Sequence, residues 1–288
     1  MIARNHRTVP WLPEKGGSGV KPAETKTALV TGAAGGMGLA CVKRLLAEGY
    51  TVCGLDLREP EPTEGLRFVH TDLTDPASVE KAAEELSAAG VRLDCIVHLA
   101  GMYDLNSLIE MPEEEFRRIF EVNLFGVYRV NRSFFPLLKQ GARIVITTSE
   151  LAPLDPLPFT GIYAITKTAL DSYAAALRME LQLLGCRVVV LRPGAVDTGL
   201  LQTSTRRLEA FCENTTHYAC NAERFRRIVE RVEAHKLSPE RIAALVWRSL
   251  NARRPRPVAG VNRNPLLLML NALPVRAQCR IIKSVLKR

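Results

Sequence analysis

An α/β fold, built on one doubly wound parallel sheet with helices on both faces, is predicted by this sequence. Short runs rich in β-branched residues alternate with longer stretches of helical spacing from Lys26 onward. The short runs are apolar throughout, which is typical of strands that helices cover on both faces. The chain has 288 residues, of which 47% are hydrophobic and 24% charged, so one sizeable core in a single domain is expected.

The predicted elements follow from these runs in chain order. Strands are predicted at residues 27–31, 51–56, 67–70, 93–99, 143–148 and 187–191, with a last one near Val258. Helices are predicted at residues 37–48, 78–89, 112–138, 161–184 and 239–250. Ser238 is predicted to cap the last of these helices, with Pro239 at its first position.

Three parts of the chain are expected. Residues 1–24 contain charges, prolines and glycines without a continuous apolar segment, so they are predicted to be a mobile extension and not a signal peptide. Residues 25–262 are predicted to be a Rossmann-type domain, in which the polar helical pieces at about 200–237 form a lid. Residues 263–288 are predicted to be a basic amphipathic tail, and the apolar run 265–273 within it is too short to span a bilayer.

The net charge of +9 is concentrated at the end of the chain. Residues 251–288 carry no acid, and their nine basic residues equal the whole formal excess. These are Arg253, Arg254, Arg256, Arg263, Arg276, Arg280, Lys283, Lys287 and Arg288. The helical spacing of Arg276, Arg280, Lys283 and Lys287 allows peripheral membrane contact. The alternative, which we favour, is that this helix packs on the protein itself with its basic face in solvent. No motif indicates nucleic-acid binding.

The seven cysteines indicate a reducing compartment. They are scattered, form no C-x-x-C pair and lie mostly inside apolar runs, so reduced thiols and a cytoplasmic location are expected. Cys212, His217 and Cys220 offer three zinc ligands, but a fourth ligand is not evident. No metal site is therefore predicted.

A glycine-rich turn joins the first predicted strand to the first predicted helix. Residues 31–38 read TGAAGGMG. Such a turn lets the backbone approach a pyrophosphate closely and directs the N-terminus of the helix at its negative charge. The turn therefore predicts a site for a dinucleotide cofactor.

The second predicted strand ends in an acid, Asp56, which lies 18 residues beyond Gly38. A carboxylate at this place accepts hydrogen bonds from both hydroxyls of an adenosine ribose and repels a 2′-phosphate. The alternative is an ordinary surface acid at the end of a strand. Because the glycine turn precedes it at the right distance, we predict NAD as the cofactor in preference to NADP, although the nearby Arg58 softens that discrimination.

A phenol and an ammonium share one face of the predicted helix at 161–184. Tyr163 and Lys167 are four residues apart, which is one helical turn. A free tyrosine has a pKa of about 10, and a neighbouring ammonium favours its ionised form. The pair therefore indicates a tyrosine that takes up and releases a proton.

The motifs together resemble the short-chain dehydrogenase/reductase family, in its compact single-domain form, over residues 25 to 260. The motifs that carry the resemblance are the turn at 31–38, Asp72-Leu73, Asn123, the set Ser149, Tyr163 and Lys167, and Pro193-Gly194 followed by Thr198. The resemblance implies cofactor contacts by Thr31, Gly32, Gly36, Met37, Gly38, Asp56, Asp72, Leu73, Ala100, Gly101, Tyr163, Lys167, Pro193, Gly194 and Thr198.

The same resemblance implies the catalytic roles. Tyr163 is the general acid or base, and Ser149 holds the substrate oxygen. Lys167 binds the nicotinamide ribose and lowers the tyrosine pKa, while Asn123 supports a water that relays the proton. The long helices around Asn123 and Tyr163 form the subunit contact in many relatives, so a homodimer or homotetramer is expected.

Two departures from the family pattern stand out. Where the family commonly has Asn-Asn-Ala-Gly, this chain begins the motif with His98, which we predict to be a packed histidine and not a catalytic one. Ser149 lies 14 residues before Tyr163, whereas 13 is the usual spacing. A one-residue insertion in the proline-rich loop explains the difference, and Thr148 remains the alternative hydroxyl.

Apolar residues near the expected reaction centre favour a lipophilic substrate. They lie in the loop at 151–159, and the lid adds Leu200, Leu201 and Phe211, with Arg206 and Arg207 for a distal anion. Within the family these features resemble hydroxysteroid, retinoid or bile-acid dehydrogenases of lipid metabolism, acting on a secondary alcohol or its ketone. Two alternatives stay open: a reductase of 3-oxoacyl groups, and a non-catalytic NAD-binding sensor or scaffold.

Overall fold

The computed structural model describes residues 25–233 and 236–287, with the side chains of 200–204, 232 and 233 left out of the description. The predicted extension at 1–24 lies outside these residues, as does Arg288 of the tail. The strands are β1 (Thr27–Thr31), β2 (Thr51–Asp56), β3 (Leu66–His70), β4 (Leu93–His98), β5 (Leu138–Thr147), β6 (Arg187–Pro193) and β7 (Val258–Val261). The helices are α1 (Gly36–Ala47), α2 (Pro76–Ala88), α3 (Glu113–Phe120), α4 (Gly126–Phe134), α5 (Gly161–Leu181), α6 (Gly199–Asn214), α7 (Ala219–Glu233), α8 (Pro239–Asn251), α9 (Pro265–Asn271) and α10 (Val275–Leu286).

The seven strands form one parallel sheet in the order β3-β2-β1-β4-β5-β6-β7. All six neighbouring pairs are parallel. The chain moves outward from β1 to β3 and then returns to place β4 on the other side of β1. This reversal opens a crevice at the carboxyl ends of β1 and β4, where doubly wound sheets bind their ligands. The predicted fold class is confirmed.

Helices cover both faces of the sheet, because its central strands are apolar on both sides. On one face Leu86 of α2, Phe134 of α4 and Leu170 of α5 belong to one buried cluster. On the other face Leu45 of α1 and Val246 of α8 belong to a second. Burial of each such side chain stabilises the fold by about 1.5–3 kcal/mol, and the two clusters fix the sheet beneath the crevice.

Some predicted boundaries of helices and strands differ from those in the structure. The helical stretch predicted at 112–138 is α3, a π-helical turn at Glu121–Phe125, α4 and a short 3-10 turn. β5 begins five residues early, at Leu138, and its register with β4 shifts between Leu93 and Cys95. Ser238 occupies the N-cap position of α8, but its side chain makes no capping hydrogen bond to the helix.

The segment predicted as a lid contains α6 and α7, of which α7 packs on both α6 and α10 of the tail. A third apolar cluster includes Leu208 and Phe211 of α6, Phe225 of α7 and Leu286 of α10. The three basic residues of α10 are exposed, namely Arg276, Arg280 and Lys283, and so is Lys287 directly after the helix. Among the described residues, no helix is both long and apolar enough to cross a membrane.

His98, at the end of β4, is a packed residue as predicted, with 2% of its surface exposed. Its Nε2 lies 2.9 Å from Asn131 Oδ1, and Asn131 Nδ2 donates to the Tyr173 hydroxyl. Because the amide oxygen faces the ring, Nε2 is the protonated nitrogen of a neutral imidazole. Burial lowers the pKa of His98 to about 4.

A buried neutral histidine makes stability depend on pH. The unfolded chain takes up the His98 proton near pH 6.5, whereas the folded protein resists it until about pH 4. We expect the contribution of His98 to the free energy of unfolding to be fully present above pH 6.5. This contribution, roughly 3 kcal/mol, should be lost as the pH drops towards 4. Denaturant titrations across this range measure it, with His98→Gln as the non-titrating control. Equal pH slopes in the two proteins would contradict the prediction.

Candidate active site

The glycine turn after β1 forms a cradle that side chains would fill. Gly32 and Gly36 have φ angles of +71° and +50°, which favour glycine. A Cβ on Gly38 would lie 1.8 Å from the carbonyl oxygen of Gly32. The N-terminus of α1 carries no side-chain cap, so its first N–H groups are available to an anion.

A groove of about 980 Å³ runs from this turn across the carboxyl edge of the sheet. The predicted cofactor residues that line it are Gly32, Gly36, Met37, Asp56, Asp72, Leu73, Ala100, Gly101 and Thr198. Thr31 and Gly38 lie beneath its floor. Thr31 Oγ1 accepts hydrogen bonds of 3.2 Å from the N–H groups of Leu99 and Ala100, and so joins the ends of β1 and β4.

The predicted ribose ligand, Asp56, sits where β2 meets the groove. Its Oδ2 accepts from Ala34 N at 2.9 Å, and its Oδ1 accepts from Arg58 N at 3.0 Å. The Arg58 guanidinium reaches the turn, since its Nη2 lies 3.1 Å from the place of a Cβ on Gly35. A carboxylate and a guanidinium therefore border the same part of the groove.

Asp72 is tied into its own turn. Its Oδ1 accepts from Thr74 N and Thr74 Oγ1, at 2.8 and 2.7 Å, and Asp72 N donates to Ser78 Oγ at 2.9 Å. These bonds hold the Asp72-Leu73 pair at the far end of the groove. The cradle, the uncapped helix N-terminus and the carboxylate of Asp56 together fit a dinucleotide.

Tyr163 and Ser149 meet at the inner end of the groove. Both side chains line the same chamber, and Ser149 favours the ionised form of the Tyr163 phenol, lowering its pKa. Thr148, the alternative hydroxyl, points elsewhere: its Oγ1 lies 3.2 Å from Asp171 Oδ1 and 3.3 Å from Leu191 O. The geometry therefore favours Ser149 as the hydroxyl that meets a substrate oxygen beside Tyr163.

Lys167 lies on the same face of α5 as Tyr163. Its Nζ donates to the Thr147 carbonyl at 3.2 Å and lies 5.7 Å from the centre of the Tyr163 ring. The same Nζ lies 3.5 Å from the place of a Cβ on Gly101. The ammonium therefore stands between the phenol and the groove.

The predicted lowering of the Tyr163 pKa by Lys167 is not what the structure shows. Burial raises the pKa of Tyr163 to about 12, although the hydrogen bond to Ser149 lowers it and the charge of Glu150 raises it further. Burial also lowers the pKa of Lys167 to about 8. Desolvation outweighs the attraction between the two groups, so the protein alone holds a protonated phenol at neutral pH.

Asn123 stands in the π-helical turn, fully buried. Its Nδ2 donates to Met102 O at 2.9 Å and to Thr166 Oγ1 at 3.0 Å, and its Oδ1 accepts from Met102 N at 2.7 Å. The amide therefore joins the loop after β4 to α5, next to Lys167. A π turn in a helix is often found at a functional site.

An apolar chamber opens from the groove above Ser149 and Tyr163. Leu151 and Leu157 of the proline-rich loop line it, with Pro193 and Gly194 at the end of β6. The remaining walls come from Phe225, Ile228 and Val229 of α7, Leu267 of α9 and Met102 and Tyr103 after β4.

Two aromatic residues predicted near the substrate lie deeper. Phe159 and Phe211 are both buried, with ring centres 5.0 Å apart, in the cluster under the chamber. The side chains of Leu200 and Leu201 lie outside the description.

Two carboxylates hold the lid to the loop after β4. Asp104 Oδ2 accepts a 2.8 Å hydrogen bond from Arg207 Nη1. Arg207 is predicted to bind a distal anion of the substrate, but its guanidinium is paired with Asp104 instead. Glu110 accepts from Thr215, Thr216 and His217 at the junction of α6 and α7. These hydrogen bonds lower the pKa of Glu110 to about 2. The lid is therefore fastened at two points.

Removal of the Arg207 charge should weaken the protein. The Asp104 side chain is 3% exposed, and Arg207→Met leaves it buried without its cation. We expect the free energy of unfolding to fall by about 1–3 kcal/mol, measured in urea. Arg206→Met, an exposed neighbour on α6, is the control, and Asp104→Asn with Arg207→Met should recover part of the loss. An Arg207→Met protein as stable as the control would contradict this.

Several residues of the site escaped the sequence analysis. Glu150 and Val196 line the chamber, and the Tyr103 ring packs edge-on against Tyr163 with centres 4.6 Å apart. The place of Glu150, directly after Ser149, was the one signal available for it. Among the described residues, no three His, Cys, Asp or Glu side chains lie together as a metal ion would need.

Residues 26–209 match the family model of the short chain dehydrogenases, which is more than half of the chain. The chain belongs to this family. Its family is one of oxidoreductases that bind nicotinamide cofactors.

Similar proteins act on different carbonyl and hydroxyl compounds. The chain is 26% identical over 228 residues to a 3-ketodihydrosphingosine reductase of Bacteroides thetaiotaomicron, covering 79% of this chain and 84% of that protein. It is 31% identical over 193 residues to estradiol 17-beta-dehydrogenase 2 of Mus musculus, covering 62% of this chain and half of that protein. A solved 3-ketoacyl-(acyl-carrier-protein) reductase of Brucella melitensis, complexed with NADH, is 26% identical with a TM-score of 0.67, covering 83% of this chain and 98% of the other.

Proposed function

We propose that this short chain dehydrogenase interconverts a secondary alcohol and a ketone on a lipophilic substrate, with NAD(H) as cofactor. The observation that carries the proposal is the presence of Ser149, Tyr163 and Lys167 together on the wall of one chamber. They lie where this apolar chamber meets a groove with a glycine cradle. The chamber suits a substrate with much apolar surface, and the groove suits a dinucleotide.

Each catalytic residue has a task in this proposal. In oxidation Tyr163 takes the proton of the substrate hydroxyl, and in reduction it returns a proton to the oxygen of the former ketone. Ser149 donates a hydrogen bond to the same oxygen and holds it against the phenol. Lys167 holds the nicotinamide ribose, and Asn123 supports a water through which the proton leaves. A nicotinamide held in the groove supplies the hydride acceptor for oxidation and the hydride donor for reduction.

Cofactor residues are proposed along the whole groove. The turn at 31–38 holds the pyrophosphate, Asp56 the adenosine ribose and the Asp72-Leu73 pair the adenine. Pro193, Gly194 and Thr198 are proposed to hold the nicotinamide end, since all three line the chamber. The carboxylate of Asp56 supports NAD over NADP.

The substrate is proposed to be steroid-like, bile-acid-like or retinoid-like. Side chains of Leu157, Ile228 and Leu267 line the chamber, and the lid is proposed to be α6 with α7. The relative named as an estradiol dehydrogenase also supports this class. A second candidate is reduction of a 3-oxoacyl group, because the similar solved reductase carries that description and binds NADH.

The test is absorbance at the reduced-nicotinamide band with the purified protein. Each of NAD and NADP is offered with steroid, bile-acid, retinoid and short-chain alcohols, and NADH with a 3-oxoacyl thioester. Turnover of NAD with a bulky alcohol, lost in Tyr163→Phe, supports the proposal. Tight binding of NAD without turnover of any compound would contradict it and point to a non-catalytic sensor.

A homodimer or homotetramer is proposed through the outer face of α3 to α5. Phe125 of the π-helical turn and Ile165 of α5, which packs on that turn, are 44% and 39% exposed, and exposed apolar surface often marks a protein–protein contact. Light scattering after size-exclusion chromatography measures the assembly. We expect Phe125→Asp to reduce its mass, whereas a wild-type monomer would contradict the proposal.

We propose that the protein is cytoplasmic. Peripheral contact with anionic membranes is the second proposal for its tail, beside the packing of α10 on α7. Leu266 and Met269 of α9 are 71% and 68% exposed, near the exposed basic side chains of α10. Sedimentation with vesicles, with and without phosphatidylserine, tests the contact. Equal recovery from neutral and anionic vesicles would leave only the packing of α10 on α7.

A further inference from the structure

Glu150 follows Ser149 and ends in the same chamber, with 7% of its surface exposed. Its Oε2 accepts a 2.6 Å hydrogen bond from Asn264 N. Its Oε1 lies 3.0 Å from the place of a Cβ on Gly194. The carboxylate therefore stands between the catalytic end of β6 and the start of α9.

Asn264, the donor of this hydrogen bond, lies at the N-terminus of α9. Asn264 caps α9, and its Oδ1 accepts from Leu266 N at 2.9 Å. α9 contains no buried residue, so packing alone holds it weakly. At its far end Asn271 Oδ1 accepts from Asp155 N at 2.6 Å. Two polar contacts with the loop at 150–155 therefore set where α9 lies.

The position of α9 matters to the chamber because Leu267 forms part of its wall. A short substrate does not reach this wall and makes no contact with α9, whereas a bulky substrate packs on it. The contact between Glu150 and Asn264 therefore acts on the binding of bulky substrates through Leu267.

Glu150 also brings charge to the reaction centre. The titratable and charged groups around Tyr163 are Lys167 on α5 and Glu150 after β5, with Arg263 facing Glu150 from the segment after β7. Glu150 and Tyr163 line the same chamber, and a negative charge there opposes ionisation of the phenol.

We propose that Glu150 is a positioning residue: it fastens α9 to the catalytic end of the sheet as a wall of the substrate chamber, and it places a negative charge beside Tyr163. The kinetic part of this inference rests on the proposed oxidoreductase function. The structural part does not, because the position of α9 is measurable without turnover.

Two variants separate the contact from the charge. Glu150→Gln keeps an oxygen for Asn264 N and loses the charge, whereas Glu150→Ala loses both. Hydrogen exchange followed by mass spectrometry should show faster exchange over residues 264–271 in Glu150→Ala and unchanged exchange in Glu150→Gln. Asn264→Pro, at a φ of −72° that suits proline, removes both the donor to Glu150 and the side-chain cap on Leu266 N, so exchange over residues 264–271 should rise at least as much as in Glu150→Ala.

Kinetics then divide the two effects. In Glu150→Ala we expect KM for a bulky alcohol to rise about tenfold, the scale of one lost hydrogen bond to a charged group. KM for a short alcohol should change little. In both Glu150 variants the rise of the oxidation rate with pH should move to lower pH, which a purely structural residue would not cause in Glu150→Gln.

Three results would overturn the inference. They are unchanged exchange over α9 in Glu150→Ala, an equal rise of KM for short and bulky alcohols, and an unmoved pH profile in Glu150→Gln. If the wild-type protein oxidises no alcohol, the proposed function fails, and the exchange result alone decides whether Glu150 holds α9.

Discussion

Replacement of Tyr163 by phenylalanine should lower kcat by about 10²- to 10⁴-fold, the usual contribution of general acid–base catalysis. The ring stays in place against Tyr103, and only the hydroxyl beside Ser149 is lost. Because the glycine turn, Asp56 and Lys167 are unchanged, the dissociation constant for NADH should stay within about twofold. Steady-state kinetics and fluorescence titration of bound NADH measure the two effects.

The pH dependence of the wild type gives the same prediction a second readout. With a Tyr163 pKa of about 12, phenol dominates over phenolate at neutral pH. The rate of oxidation should therefore rise with pH, since oxidation needs the ionised form, whereas reduction should stay level until alkaline pH. The residual rate of Tyr163→Phe should show neither trend.

Tyr128→Phe is the matched control for this substitution. Its ring is 45% exposed on α4, outside the groove and the chamber, so its activity should equal that of the wild type. Loss of both turnover and NADH binding in Tyr163→Phe would indicate a folding defect. Retention of full turnover would remove Tyr163 from the mechanism.

Local patterns in the sequence predicted the parts of this site that depend on few neighbours. An apolar run such as Thr27–Thr31 is a buried strand wherever it stands in a parallel sheet. Tyr163 and Lys167 share a helix face because helical spacing alone puts them there. The glycine turn is likewise recognisable from a short stretch, because its glycines stand together between the first strand and the first helix.

What could not be predicted depends on partners far along the chain. Arg207 meets Asp104, 103 residues away, and Glu150 meets Asn264, 114 residues away. No local pattern marks either pair. The pKa of Tyr163 is a further case, because burial by the surrounding elements, and not the nearby ammonium, decides its direction.

The choice between NAD and NADP should change with one charge. Asp56→Asn keeps an oxygen for Ala34 N and removes the negative charge that would face a 2′-phosphate. We expect the ratio of the dissociation constants for NADPH and NADH to fall by about ten- to a hundredfold, which corresponds to about 1.4–2.8 kcal/mol. Fluorescence titration with both cofactors measures the ratio without any substrate.

Arg58 determines how far the ratio of the dissociation constants falls in Asp56→Asn. Its guanidinium already borders the glycine turn, so it can attract the 2′-phosphate once the carboxylate is neutral, and Asp56→Asn with Arg58→Ala should give back part of the gain for NADPH. Glu59→Gln, which neutralises an exposed acid of the same loop, should leave the ratio unchanged. A ratio unaltered in Asp56→Asn, or a wild type that prefers NADPH, would show that Arg58 and not Asp56 governs the site. The groove would then select its cofactor by attraction to the phosphate instead of repulsion.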